Sequence, residues 1–163
     1  MKLSFKSNVV LGALAFAAVI GAASAQTFKN NCYPTGTSQL EQIGDRPNHA
    51  IQVNNFTCRF EGGILDGAVN TGINVYEWDG PRAITLSGSS VIRKPGGTLV
   101  TEVTGSVFTL QMAEGKMTGG TNVGKGVVKL ATGTLSSLKG KTYSFVATVV
   151  PGTGQWTSEV KYD

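Results

Sequence analysis

The chain has one histidine, two cysteines and few charged residues, and each shortage excludes a class of chemistry. A lone imidazole, His49, a single pair of cysteines, Cys32 and Cys58, and scattered acids supply no ligand set with metal-site spacing. There is no Cys-x-x-Cys for redox work and no Gly-x-Ser-x-Gly elbow for a serine nucleophile. Ser136-x-x-Lys139 copies the spacing of penicillin-interacting enzymes but lacks their partner Lys-Thr-Gly, since Lys141 is followed by Thr142 and Tyr143. His49 follows Asp45-Arg46-Pro47-Asn48 and reads as an exposed loop histidine, with Asp45 serving a turn. No cofactor is expected.

Basic residues are equally sparse. Their densest cluster is Lys139-Gly140-Lys141, with no stripe and no interleaved aromatics, which argues against nucleic acid as a partner. Helical periodicity is missing after residue 45, and no apolar run is long enough for a comfortable membrane span.

What is present begins with residues 1–25. Lys2 and Lys6 precede an apolar run from Val9 to Ala22, and Ala23-Ser24-Ala25 closes it with small side chains. That layout predicts a secretory signal peptide cut before Gln26, leaving residues 26–163 as one domain in a periplasm or outside the cell. Removal takes away two of the 14 basic residues and none of the ten acidic ones, so the net charge falls from +4 to +2. An exported chain with two cysteines is expected to pair them, as Cys32–Cys58.

Period-2 alternation dominates the rest. Trp156, Ser158, Val160 and Tyr162 alternate with polar neighbours, and Pro151-Gly152-Thr153-Gly154 turns the chain from the β-rich run Tyr143–Val150. Further strands are expected over Ile51–Phe60, with a bulge at Asn54-Asn55, and over Gly72–Trp78, Ala83–Leu86, Ser90–Lys94, Thr98–Thr104, Val107–Met112 and Val127–Ala131. The sum is an all-β domain, an antiparallel β-barrel of about eight strands, with a two-sheet β-sandwich as the alternative. Glycines inside strands, at Gly88, Gly105, Gly124 and Gly126, favour the barrel because they let a sheet curl shut.

Gly119-Gly120-Thr121-Asn122-Val123-Gly124-Lys125-Gly126, leading into a strand, resembles a glycine-led stretch of allene-oxide-cyclase-like and dirigent-like barrels. The resemblance implies a small barrel. Those families carry Gly-Gly-Thr-Gly and then an aromatic, where this chain has Asn122 and Val123. No catalytic residue of theirs matches a position here, so it implies no activity.

Three functions follow from this reading. The first is non-catalytic binding of a small, largely apolar ligand by Phe108, Leu110, Tyr143, Phe145, Trp156 and Tyr162. The second is a structural or surface-interaction module with a solid core, meeting an extracytoplasmic macromolecule. The third is a cyclase- or isomerase-type enzyme using Glu77 as an acid at the barrel mouth, which requires Ile73 and Val75 to face inward. The reverse orientation puts Tyr76 and Trp78 inside and leaves Glu77 solvated.

Overall fold

The computed structural model describes residues 26–163, so the expected signal peptide lies outside the described residues. Nine strands follow in order: β1 (Gln26–Pro34), β2 (Leu40–Gln42), β3 (His49–Glu61), β4 (Val69–Asp79), β5 (Arg82–Lys94), β6 (Gly97–Ala113), β7 (Lys116–Ala131), β8 (Thr142–Val149) and β9 (Trp156–Tyr162). All pairings are antiparallel. From β3 to β9 each strand pairs with the next, and β1 closes the ring by pairing with both β9 and β3. The result is an eight-stranded barrel, not a sandwich. β2 is the extra strand; it continues beyond β1 along the first half of β3, after a loop at 35–39.

The strand count was legible, but its make-up differs. Ala83–Leu86 and Ser90–Lys94 are one strand, β5, in which Leu86 is the extra residue of a bulge opposite Val75 and Tyr76. Thr98–Thr104 and Val107–Met112 are likewise one strand, β6, with register shifts between Val100 and Thr101 and between Val103 and Gly105. The glycine-rich stretch 119–126 lies within β7 rather than before a strand. The expected bulge at Asn54-Asn55 is absent, because Asn54 pairs with Asn74 and Asn55 with Ile73 in continuous register. Ile51 and Val53 face outward there while Gln52 and Asn54 face inward, so the hydrophobic alternation changes face without any change of register.

The two ends are built differently. At the base, the β3–β4 and β7–β8 connections form short 3-10 turns at Gly63–Leu65 and Gly133–Leu138. Leu65, Leu135 and Leu138 drop from these turns onto Phe28, Phe60, Ile92, Leu99 and Tyr162, sealing that end with hydrocarbon. The opposite end has hairpins at Asp79–Arg82, Ala113–Lys116 and Val149–Trp156, together with the strap 35–48 that carries β2. No helical plug covers it among the described residues, none of which form a helix long and apolar enough to cross a membrane.

Interior glycines make room for rings. Phe56 pairs across the sheet with Gly72, Phe145 with Gly124 and Tyr143 with Gly126. A Cβ on Gly126 would sit 2.3 Å from the Tyr143 ring and from the Glu102 carbonyl oxygen. The aromatic residue of each pair thus lies over its glycine, which both bends the sheet and tilts the ring out of the lumen's centre.

Candidate functional site

Three layers stack inside the barrel. Above the hydrocarbon base lies a belt of uncharged polar side chains. Ser158 donates to Asn30 at 2.5 Å, and Ser90 and Thr101 share a bond of 2.8 Å. Thr85 and Ser106 are joined at 2.5 Å. Asn74 and Asn122 both donate to the Tyr76 phenol oxygen, at 3.1 and 3.3 Å. The belt arises because β1, β4 and β7 each place amides at the same parity as their inward residues, as in Asn70, Asn74, Tyr76, Trp78 along β4.

Above the belt, towards the mouth, rings dominate. Tyr76, Trp78 and Phe108 form a triangle with centroids 5.3 to 6.4 Å apart, and Phe56 meets Trp156 edge-on at 6.0 Å. The Trp78 indole donates to Gln52 at 2.8 Å, so its polar edge is satisfied and its faces are left for contact. Leu40 of β2 and Met117 of β7 reach the rim and are about half exposed.

Between base and rim is a cavity of about 450 Å³. The residues lining it include no aspartate, glutamate, lysine, arginine or histidine. The ionisable groups present are phenols, and they stay neutral. Burial pushes Tyr76 up to about 12 against the smaller opposing effect of its Asn74 and Asn122 bonds, and burial likewise raises Tyr143 and Tyr162. Two polar atoms in the wall, Asn70 Oδ1 and Asn122 Oδ1, are buried without a hydrogen-bond partner among the described residues.

No family model, curated protein or solved structure matches this chain. The geometry alone must therefore carry the functional reading.

Phe108, Leu110, Tyr143, Phe145, Trp156 and Tyr162 all line the cavity, Phe108, Leu110 and Trp156 near the rim and Tyr162 in the base. Glu77 does not. Tyr76 and Trp78 take the inward positions of β4, so Glu77 projects from the outer face and Ile73 is exposed. There Glu77 Oε1 lies 2.9 Å from Nε2 of His49. His49 is not the exposed loop residue its neighbours imply. It is only 7% exposed, with Nδ1 2.5 Å from Asp45 Oδ1, so an imidazolium donates to both carboxylates. Those bonds, Asp45 first and Glu77 second, raise the His49 pKa against the opposing effect of burial, and the His49 bond lowers that of Asp45. Arg46 adds bonds to Asp45 at 3.0 Å and Asp79 at 3.2 Å. The cluster fastens the strap to the end of the β3–β4 pair, so these acids do structural work outside the cavity.

Cys32 and Cys58 face inward as a directly paired position of β1 and β3, with Cα atoms 4.0 Å apart, and they form the disulfide. The amides Asn30, Asn54, Asn70, Asn74 and Asn122 also line the cavity and are not among the site residues expected from the sequence. Their signal was present in their parity: in β3 and β4 they alternate in step with Phe56, Phe60, Tyr76 and Trp78.

Proposed function

We propose that the protein is a non-catalytic container for a small, uncharged, largely apolar molecule. The observation that carries this reading is the cavity of about 450 Å³ whose wall holds aromatic rings, neutral amides and hydroxyls and no charged side chain. That volume is in the range of small-molecule sites. An ion entering such a lumen would lose its hydration with no countercharge in return, which costs several kcal/mol. The enzyme reading loses its acid, because Glu77 is on the outside of the barrel and bonded to His49. The disulfide fits work in an oxidising compartment beyond the cytoplasm. Export by cleavage before Gln26 belongs to the same proposal, and the intact mass of protein recovered from the periplasm or medium of an expressing host tests it.

The binding test uses N-phenyl-1-naphthylamine, a neutral dye that brightens in apolar surroundings. Saturable one-to-one enhancement, with quenching of Trp78 and Trp156, is the expected outcome. Absence of saturation at micromolar dye would overturn the container reading.

One exterior feature favours the interaction-module reading as a second possibility. Ile84, Val107, Val123 and Val146 are paired in a row across β5 to β8, ending at Glu77 on β4 and Glu159 on β9. Ile84, Val123 and Val146 are each about half exposed. Contiguous apolar surface of this kind marks docking faces when it is large. Sedimentation of the wild type beside Val123→Lys tests it: a concentration-dependent shift in the wild type alone supports the reading, and identical profiles remove its support.

A further inference from the structure

Resting on the container reading, we infer that the strap 35–48 is a pH-operated gate of the cavity, held shut while His49 bridges Asp45 and Glu77 and released when His49 gives up its proton. Ser38 and Leu40 of the strap line the cavity, so this segment is part of the wall at the mouth. β2, within it, pairs with β3 over three residues and has no second neighbour strand among the described residues.

The strap has no hydrophobic anchor. Every residue from 35 to 48 is exposed, so moving the segment uncovers little apolar surface. Segments of this kind open at lower cost than the strands of a core. What holds the strap is polar. Besides the β2–β3 pairs, the Thr35 N–H donates to the Asn55 carbonyl at 2.8 Å and the Ile43 N–H to the His49 carbonyl at 3.0 Å. Gly80 N–H donates to the Asn48 carbonyl at 3.1 Å, and Gln52 Nε2 to Ser38 Oγ at 2.7 Å. Gln52 also accepts from the Trp78 indole, so movement of the strap reaches the rings of the mouth. The remaining fastening is the charged cluster, and His49 is its buried member.

The charged groups around the imidazole are Asp45 and Arg46 of the strap and Glu77 and Asp79 of β4, with Arg82 of β5 opposite Asp79. An imidazolium has one N–H for Asp45 and one for Glu77. Neutral imidazole has one N–H and one lone pair, so one of the two carboxylates is left facing a lone pair. Whichever bond goes, the bridge from strap to β4 is broken. The ion pair that survives, Arg46 to Asp79, is exposed, and such pairs are worth at most about 1 kcal/mol. The Asp45 and Glu77 bonds raise the His49 pKa above the ordinary 6.5, so the gate is shut below that value and opens as pH climbs through the raised one. Asp45, shifted down, stays ionised throughout.

The test measures release of bound N-phenyl-1-naphthylamine on dilution, from about pH 6 to about pH 10, a range in which the dye stays neutral. The wild type is expected to release it at least about fivefold faster at the upper end, with a midpoint above 6.5 and circular dichroism unchanged. In His49→Asn, and again in Asp45→Asn, the change with pH is expected to fall below about twofold, because neither variant keeps a bridge that loss of a proton breaks. A wild-type release rate independent of pH overturns the gate and leaves the container reading standing. Failure of the wild type to bind the dye at about pH 6 overturns both. Undiminished pH dependence in either variant overturns the assignment of the gate to the His49 bridge.

Discussion

Gly126 shows how one missing side chain shapes the lumen. Its place opposite Tyr143 leaves no space for a methyl group, since a Cβ would meet both the ring and the Glu102 carbonyl at 2.3 Å. Backbone cannot give way as a flexible side-chain end can. Gly126→Ala is therefore predicted to cost about 1–3 kcal/mol in urea unfolding, the usual range for overpacking. Gly105 is also within a strand, but a Cβ there meets nothing within 4 Å and its φ is negative. Gly105→Ala is expected to move stability by less than about 1 kcal/mol. At the same scale, His49 gives the strap a pH dependence. Its folded pKa is raised above the ordinary 6.5, so its stabilisation is complete below that value and is lost as pH climbs through the folded pKa. Asp45 is shifted down, so its share is present above about pH 4 and is lost as pH falls through its lowered pKa. The melting temperature of His49→Asn should therefore lie furthest below the wild type at about pH 5–6, and the gap should narrow above neutrality. A gap independent of pH would contradict the imidazolium bridge.

At the scale of elements, the barrel has one seam that depends on a staple. β1 and β3 are joined over six register pairs, and Cys32–Cys58 is one of them. The disulfide closes a loop with a sequence separation of 26. Chain-entropy reasoning gives about 3.5 kcal/mol for such a loop. Reduction with dithiothreitol should lower the urea midpoint accordingly, and an unchanged midpoint would mean that the seam holds without it. The sequence was most legible where alternation and turn chemistry agree, as in the β8–β9 hairpin and its Pro151–Gly154 turn. It was least legible where an inward position is polar or glycine. Asn54 mimicked a bulge, Gly88 split β5 in two, and the glycines of 119–126 hid the first half of β7. β1 escaped notice because Asn30 stands at an inward position between Phe28 and Cys32. The physical reason is the same throughout: a barrel with a polar belt and ring-over-glycine pairs does not keep its inner face hydrophobic, so the pattern that reveals strands is broken at the layer that lines the cavity. For Glu77 the sequence leaves two orientations open, because Ile73 and Val75 give β4 an outer face as apolar as its inner one, and the structure takes the one with Tyr76 and Trp78 inside.

At the scale of the molecule, the barrel is sealed by leucines at one end and opens through rings at the other, with neutral polar groups between. A solid core would have made the interior aromatic residues ordinary packing. On the proposed container reading the hollow gives them a second use, and the lack of charge selects what can enter. The most direct measurement compares N-phenyl-1-naphthylamine binding to the wild type and to Ala147→Phe. Ala147 faces the lumen between Asn122 and Ser158, so a phenyl ring there fills the cavity from within while the exterior is unchanged. The container account predicts saturable one-to-one binding by the wild type and at least about tenfold weaker binding by a variant whose circular dichroism and cooperative melting show it folded. Equal binding by the two would place the dye outside the barrel and contradict the account.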